Sequence, residues 1–444
     1  MKYSRSSLTL FFILIFASSP LRAGKYYVLC EGNFLQSNAS LWSIDESLQT
    51  INGPLIWDAN DNPLGDTGQS LTLFEHTLYI VMNGSHEVRV VDLESGEQHV
   101  SDIEIPNSSP RFMAIHRESG LGYISSWSLS ALLIVDLESY AVIDTFSVGA
   151  KPEEVLIVGD ELFVSLVQMS DSFDAENQVL RIDLQGHNPE ITHTYEVIDG
   201  PGAMALVGDE LYVTSIYYND AWETYSGTSR INISDHTVTS VDHGYYTNFV
   251  ADIDIIDGLV YRTYGSSLVP LNDDLTLNSI SSLLNMDGIY SHKLANSNIL
   301  VGSSNDFVAP DSVTVFSQEG QELAEFTVGA LPSHSVYYSS EIVAINEGSE
   351  LPTSISLGSN YPNPFNPSTT VPFSIDISAD VTLRIYDIKG SLVATLINRH
   401  LSAGNYAVDW DGINTNGVLM SSGVYHAVLS TEIQNSSIKL HLLK

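Results

Sequence analysis

"IVGDELFVSL" at Ile157–Leu166 and "LVGDELYVTS" at Leu206–Ser215 are near copies of one another. Each runs apolar residues into a tight acidic turn and then alternates apolar with other residues, the pattern of a β-hairpin. Looser versions read "FEHTLYIVM", "ESGLGYISSW", "IDGLVYRTY" and "ANSNILVGSS". The aromatic after the turn recurs at Tyr79, Tyr123, Phe163, Tyr212 and Tyr261, with Leu300 in the sixth place and Tyr27 opening the series. A second element follows each copy, as in "VRVVDLESGE" and "LLIVDLESY": an alternating strand ending in a turn. Asp45, Asp92, Asp136, Asp183 and Asn232 hold the turn position, where a short polar side chain bonds its own backbone. A third element, as in "VGAKPEEV" and "VGALPSHSV", precedes the hairpin.

Seven copies of roughly 40–50 residues have the period of a four-stranded propeller blade, and no segment carries a helical stripe of useful length. The last opening strand, "PSHSVYY" at Pro332–Tyr338, has no hairpin after it, and the first hairpin strand, "KYYVLC", has no opening strand before it. Joined, they make one blade from both ends and close the ring without an open edge. The reading is all-β: a seven-bladed β-propeller over residues 24–345, then a small Ig-like β-sandwich. The unit "LIVDLESYAVIDTFSVGAKPEEVLIVGDELFVS" resembles the YVTN-type propellers of surface-layer and lactonase-like proteins. The opening "YVLCEGNFLQSNASLWSID" is similar to a family of bacterial surface propellers of unknown function, which usually has Asn where Cys30 stands. These resemblances speak for fold and hardly for chemistry, because propellers host many functions.

Residues 1–23 read as a signal peptide: Lys2 and Arg5, then the apolar Leu8–Ala17, then a cleavage site at Leu21-Arg22-Ala23. No later stretch is long enough to span a membrane. Of 17 Lys+Arg and 54 Asp+Glu, the signal removes Lys2, Arg5 and Arg22, so the remainder carries 14 − 54 = −40. Such a surface repels phosphate backbones and excludes nucleic acid as partner. Cys30, the only cysteine, sits in an apolar run and is expected in the core.

Chemistry is sparse. No zinc-protease, nucleophile-elbow, phosphate-loop or dinucleotide motif occurs, and no catalytic residue is assigned. The histidines are scattered, and His116, His236 and His334 are expected to be polar surface residues or satisfied hydrogen bonders. In "DANDNPLGDTGQ", Asp58, Asn60 and Asn62 have the spacing of a calcium loop. Pro63 replaces the required glycine and Gln69 the bidentate Glu, which leaves a looser structural calcium site between blades as the alternative to a plain connection. A ligand would meet the face where the loops between second and third strands converge. On that face the candidates are Trp57, Asp66, Tyr217, Tyr218, Asp220, Trp222, Glu223 and Tyr225, densest in "IYYNDAWETYSG"; Glu31 and Trp127 share it. Acids mixed with aromatics suit a glycan or a cationic peptide. Two further readings are lactonase-like hydrolysis on the channel face and a structural role in a surface layer.

Residues 346–358 read as a polar linker. From 359 to 444, strands of five to nine residues alternate with turns, as in a β-sandwich. This stretch resembles the C-terminal sorting domain of type IX secretion, which shares an Ig-like fold with the flagellar hook-capping protein. "NYPNPFNPSTT" carries Asn360, Pro362, Asn363, Pro364, Phe365, Asn366 and Pro367. Gly390 lies in "YDIKGSLVATL", Trp410 and Gly412 in "DWDGINTNG", and Gly423 and Tyr425 in "SSGVYHAVL". The resemblance implies export across the outer membrane by the type IX machinery, to the cell surface or the medium. The prolines of the motif lack an N–H and fix φ, so it is expected to be extended or turned, at the start of the second domain.

Overall fold

The computed structural model describes residues 24–55, 64–185, 188–248, 250–308, 310–339, 355–358, 360–375, 379–387, 392–401, 404–414, 418–431 and 435–443. The signal segment, Trp57, Asp58, Asn60, Asn62, Gly390 and linker residues 346–354 lie outside them. No helix among the described residues is long and apolar enough to cross a membrane.

Seven four-stranded antiparallel sheets follow one another from Lys25 to Tyr338. In the second to seventh, the four strands are consecutive in the chain and pair in order. The first sheet is composite: Pro332–Tyr338 pairs with Lys25–Cys30, matching Tyr338 to Lys25 and His334 to Leu29. The chain thus closes its ring with strands from opposite ends of the repeat, as the unpaired sequence halves required. The innermost strands of the seven sheets begin at Gly68, Pro110, Ala150, Pro201, Ile253, Ile289 and Pro332; each touches the next, and the last touches the first.

Apolar residues of neighbouring blades fill the seams between them. Blades three and four, for example, bury Tyr123, Leu132 and Ile134 against Val155, Leu162 and Val164. The seam of blades five and six is poorer in apolar contact, with Ala205, Ile253 and Val260 as its buried residues. The repeat also contains a polar fastening. Two residues after the repeat aromatic stands Ser125, Ser165, Thr214 or Thr263 in blades three to six. Ser125 Oγ donates to Glu153 O (2.6 Å), Ser165 Oγ to Gly202 O (2.9 Å) and Thr214 Oγ1 to Ala251 O, each in the following blade. Thr263 Oγ1 meets His292 Nδ1 at 3.0 Å.

The acidic turns form as their sequence demands. Asp45 accepts the amides of Gln49 and Thr50, Asp92 that of Glu94, Asp136 that of Ser139, Asp183 that of Gln185, and Asn232 those of Ser234 and Asp235. Cys30 is fully buried between blades seven and one, and burial pushes its thiol up to about 12.

The C-terminal unit packs a three-stranded sheet on a four-stranded one. The first orders Ile355–Leu357, Thr369–Ile375 and Gly404–Trp410; the second orders Leu392–Leu401, Ala379–Asp387, Gly423–Ser430 and Asn435–Leu442. Ile355–Leu357, placed in the linker by sequence, pairs with Ile375–Phe373 and so belongs to this sandwich. Trp410 is buried at its centre, edge-on to Tyr425 at 5.1 Å and 5.5 Å from Phe365, and its indole donates to Ile413 O. The Tyr425 hydroxyl donates to Ser421 O, next to the strand that Gly423 opens. Gly412 takes a left-handed φ of 70° in the turn after Trp410, and Asp411 accepts the Ile413 amide there.

The proline-rich motif is part of the sandwich wall and does more than lead into it. Phe365 is buried, its amide donates to His441 O, and Leu443 donates back to Phe365 O. Asn363 Oδ1 accepts the His441 amide, and buried Asn360 donates to Thr369 Oγ1 at 2.8 Å. Pro362, Pro364, Asn366 and Pro367 stay exposed.

Candidate functional site

The inner strands do not run straight into the channel. Their pairing with the neighbouring strand jumps past Gln69, past Arg111 and Phe112, past Glu153 and Glu154, past Gly202 and Ala203, past Tyr290 and past Ser333. A β-bulge leaves such residues outside the ladder and re-aims their side chains. Every one of them lines a central cavity of about 700 Å³. The sixth blade, whose inner strand pairs without a shift, contributes Asp252 and Ile253 from the strand's start.

The wall is crowded with charge. Arg111 grips Glu153 through Nη2–Oε1 (2.6 Å) and Nε–Oε2 (3.0 Å), also donates to Gln69 Oε1, and lies over the Trp127 ring at 4.2 Å. Lys293 pairs with Asp254 at 3.4 Å. Asp252 accepts the His292 amide at 3.1 Å, and Glu154 accepts the Met204 amide at 2.7 Å. Burial drives the Glu31 carboxyl up to about 7, against the pull of Arg111 and a hydrogen bond from Tyr290. Burial likewise lifts Glu154 to about 8, with Asp252 adding to the rise and Lys293 opposing it.

Several polar atoms here meet nothing among the described residues: His292 Nε2, His334 Nδ1, Ser333 Oγ and Trp127 Nε1. His292 and Ser333 are 4% and 8% exposed. His334, expected at the polar surface or as a satisfied hydrogen bonder, is half-buried and leans edge-on against Phe112 at 5.5 Å, and desolvation holds it down at about 4. The other two histidines singled out by sequence are satisfied. His116 meets Ser119 Oγ and Asp160 Oδ1, and His236 meets the Tyr195 hydroxyl at 2.9 Å.

The aromatic stretch predicted from sequence is split by strand alternation. It forms the hairpin of Glu210–Tyr218 and Thr224–Asn232. Tyr218 lines the cavity and tilts toward Trp222, ring centres 6.1 Å apart. Trp222 sits at φ 60° and is 75% exposed, in a turn where Asn219 Oδ1 accepts the Ala221 and Glu223 amides. Asp220 and Glu223 are exposed beside it, with Glu223 Oε2 taking the Asn219 amide group at 2.8 Å. Tyr217, on the opposite side of the strand, stacks on Tyr225 and donates to Asp242. Asp66 is turned inward: it is 8% exposed, and its carboxylate accepts the Leu35 amide, a structural use that removes it from a ligand face. Gln69, read as the failed end of a calcium loop, serves Arg111 instead.

Residues 365–435 match the FlgD Ig-like domain family. No curated protein matches the chain. Two solved structures are similar to it in fold. A putative 6-phosphogluconolactonase from Bacteroides uniformis is 12% identical over 71% of this chain and 100% of its own, with a TM-score of 0.52. A quinonprotein alcohol dehydrogenase-like protein from Bacteroides thetaiotaomicron is 13% identical over 71% and 78%, with a TM-score of 0.51. At such identity the likeness shows the propeller-like fold alone.

Proposed function

We propose that this chain is an exported, non-catalytic binding protein that takes its ligand in the central cavity, under the lip formed by Tyr218 and Trp222. One observation carries the reading: register slips in the inner strands bring Gln69, Arg111, Glu153, Glu154 and Tyr290 together on one central cavity of about 700 Å³. A concave pocket lined by a few convergent polar groups is where a small ligand is held. Exposed Trp222 beside Tyr218 adds an aromatic surface for stacking at the mouth.

The address is the second half of the proposal. The signal-like opening and the resemblance of residues 359–444 to type IX sorting domains support delivery through that machinery to the cell surface or the medium. The exposed Pro362, Pro364 and Pro367 ridge offers it a rigid surface to read.

Binding is tested by screening glycans and cationic peptides against the wild type, Tyr218→Ala and Trp222→Ala. Ligands whose affinity falls in both variants support the reading; affinity unchanged in both removes the lip from it. Deleting residues 359–444 should hold the propeller in the periplasm, and its arrival in the medium would refute the address.

A further inference from the structure

The repeat departs from its own pattern at one place, on the rim opposite Tyr218 and Trp222. The innermost strand ends in an apolar residue in blades two, four, five, six and seven: Phe74, Val158, Val207, Ile256 and Ala295. In blade three it ends in His116, which is 6% exposed. Two residues join the first strand to the second in those five blades. In blade three four residues do, 117–120, and they bring Glu118 with them. A histidine in an apolar seam and a lengthened turn both break the local rule, and such breaks mark sites where something besides folding is served.

Both departures meet Asp160, in the matching turn of blade four. His116 Nε2 stands 3.1 Å from Asp160 Oδ1. With a carboxylate oxygen of Glu118 they form three ligand atoms that all lie within 4.8 Å of one another. Ligands held about 2.0–2.1 Å from a tetrahedral metal stand roughly 3.3 Å apart, close to the separation of His116 and Asp160. The lengthened turn also orients the ring, because Nδ1 meets Ser119 Oγ at 2.8 Å. The Ser119 hydroxyl donates to His116 O at 3.4 Å, so its oxygen is free to accept the Nδ1 proton. Nε2 then turns a lone pair on the Asp160 carboxylate, and two acceptors face each other unless a proton or a metal ion lies between them.

Solvent reaches the set from one side. Glu118 is exposed and the Asp160 side chain is 33% exposed. Asp160 also edges a hollow of about 390 Å³, where Gln185 donates to its Oδ2 at 3.0 Å. Water or a further ligand has room there to complete the coordination. One imidazole with two carboxylates suits zinc or a neighbouring transition ion, whereas calcium and magnesium prefer sets made wholly of oxygen. We propose that His116, Glu118 and Asp160 bind a divalent transition metal ion that bridges blades three and four. None of the three lines the central cavity, so this site and the ligand reading above stand or fall separately.

The experiment is calorimetric titration of the full chain, first stripped with a chelator, with zinc chloride and, for contrast, calcium chloride. The variants are His116→Val and Glu118→Gln. Valine already holds the place of His116 in blades four and five, so His116→Val should fold, and urea unfolding followed by tryptophan fluorescence checks that it does. Glu118→Gln changes only an exposed side chain. The expected result is zinc bound by the wild type in preference to calcium, with affinity at least about tenfold lower in each variant. Saturating zinc should also raise the urea midpoint of the wild type and leave that of His116→Val where it was. Zinc affinity unchanged in His116→Val, or a wild type that takes up no zinc, would overturn the site.

Discussion

Arg262 of the sixth blade donates from Nη1 to the Gly227 carbonyl of the fifth at 2.7 Å, with its side chain wholly buried. The same nitrogen reaches Thr228 Oγ1 (2.7 Å), Nη2 reaches Ser226 Oγ, and Nε bonds Thr263 O at 3.3 Å. No carboxylate pairs with it among the described residues, and desolvation holds it down at about 10. This guanidinium does for blades five and six what apolar side chains do at the other seams.

Arg262→Ala should therefore cost the propeller about 3 kcal/mol or more, since it empties a buried volume and strands several acceptors at once. Arg262→Lys should recover little, because an ammonium cannot reproduce the planar fork. Denaturant unfolding followed by tryptophan fluorescence measures both. A Lys variant as stable as wild type would show that charge alone holds the seam.

Glu153→Gln breaks the grip on Arg111, whose side chain is 18% exposed. Removing one member of such a pair typically costs about 3–5 kcal/mol, because the partner's charge stays buried. The double variant Glu153→Gln, Arg111→Met should lose less than Glu153→Gln alone, and a double-mutant cycle reads the difference.

Stability should also fall with rising pH for a nameable reason. Glu154 has its pKa raised by folding, so folding favours its protonated form. Its contribution is intact below the usual carboxylate range and fades as pH climbs through about 8; that of Glu31 fades through about 7. His334 acts in the opposite sense: folding favours its neutral form, so stability drops as pH falls from the usual histidine range toward about 4. Urea midpoints measured from about pH 6.5 to about pH 9 should decline in the wild type and decline less steeply in Glu154→Gln, where Glu31 alone remains. Parallel curves would remove Glu154 as a cause.

Cys30 should not react with a water-soluble disulfide reagent in the native protein at neutral pH, because its thiol is both buried and held protonated. One thiol per chain should appear on unfolding, and prompt native reactivity would contradict the packing of blades seven and one.

What sequence could show here was what repeats. The aromatic after each hairpin turn, the Asx turns at Asp45 to Asn232, and the two orphan strands that complete one blade all follow from local pattern, and local pattern survives folding. The hydroxyl at Ser125, Ser165 and Thr214 also recurs in register with the aromatic and was open to the same reading. The cavity wall was not legible in that way. Glu153 and Glu154 face it because pairing slips between Pro152 and Val155, and a slip is a property of two strands. Tyr217 and Tyr218 looked like one patch, although strand alternation sends them to opposite sides. Asp66 looked free, but the amide it serves belongs to Leu35, thirty-one residues earlier.

The pairing of Lys25–Cys30 with Pro332–Tyr338 also sets an order of events. A chain made or threaded from its N-terminus carries the first strand as an unmatched edge until the whole repeat has followed it. Contacts this distant in sequence form late and slowly. Until then the cavity lacks Ser333 and His334, so an incomplete ring leaves its wall open. Once the clasp shuts, neither end of the repeat can peel away without tearing a complete blade.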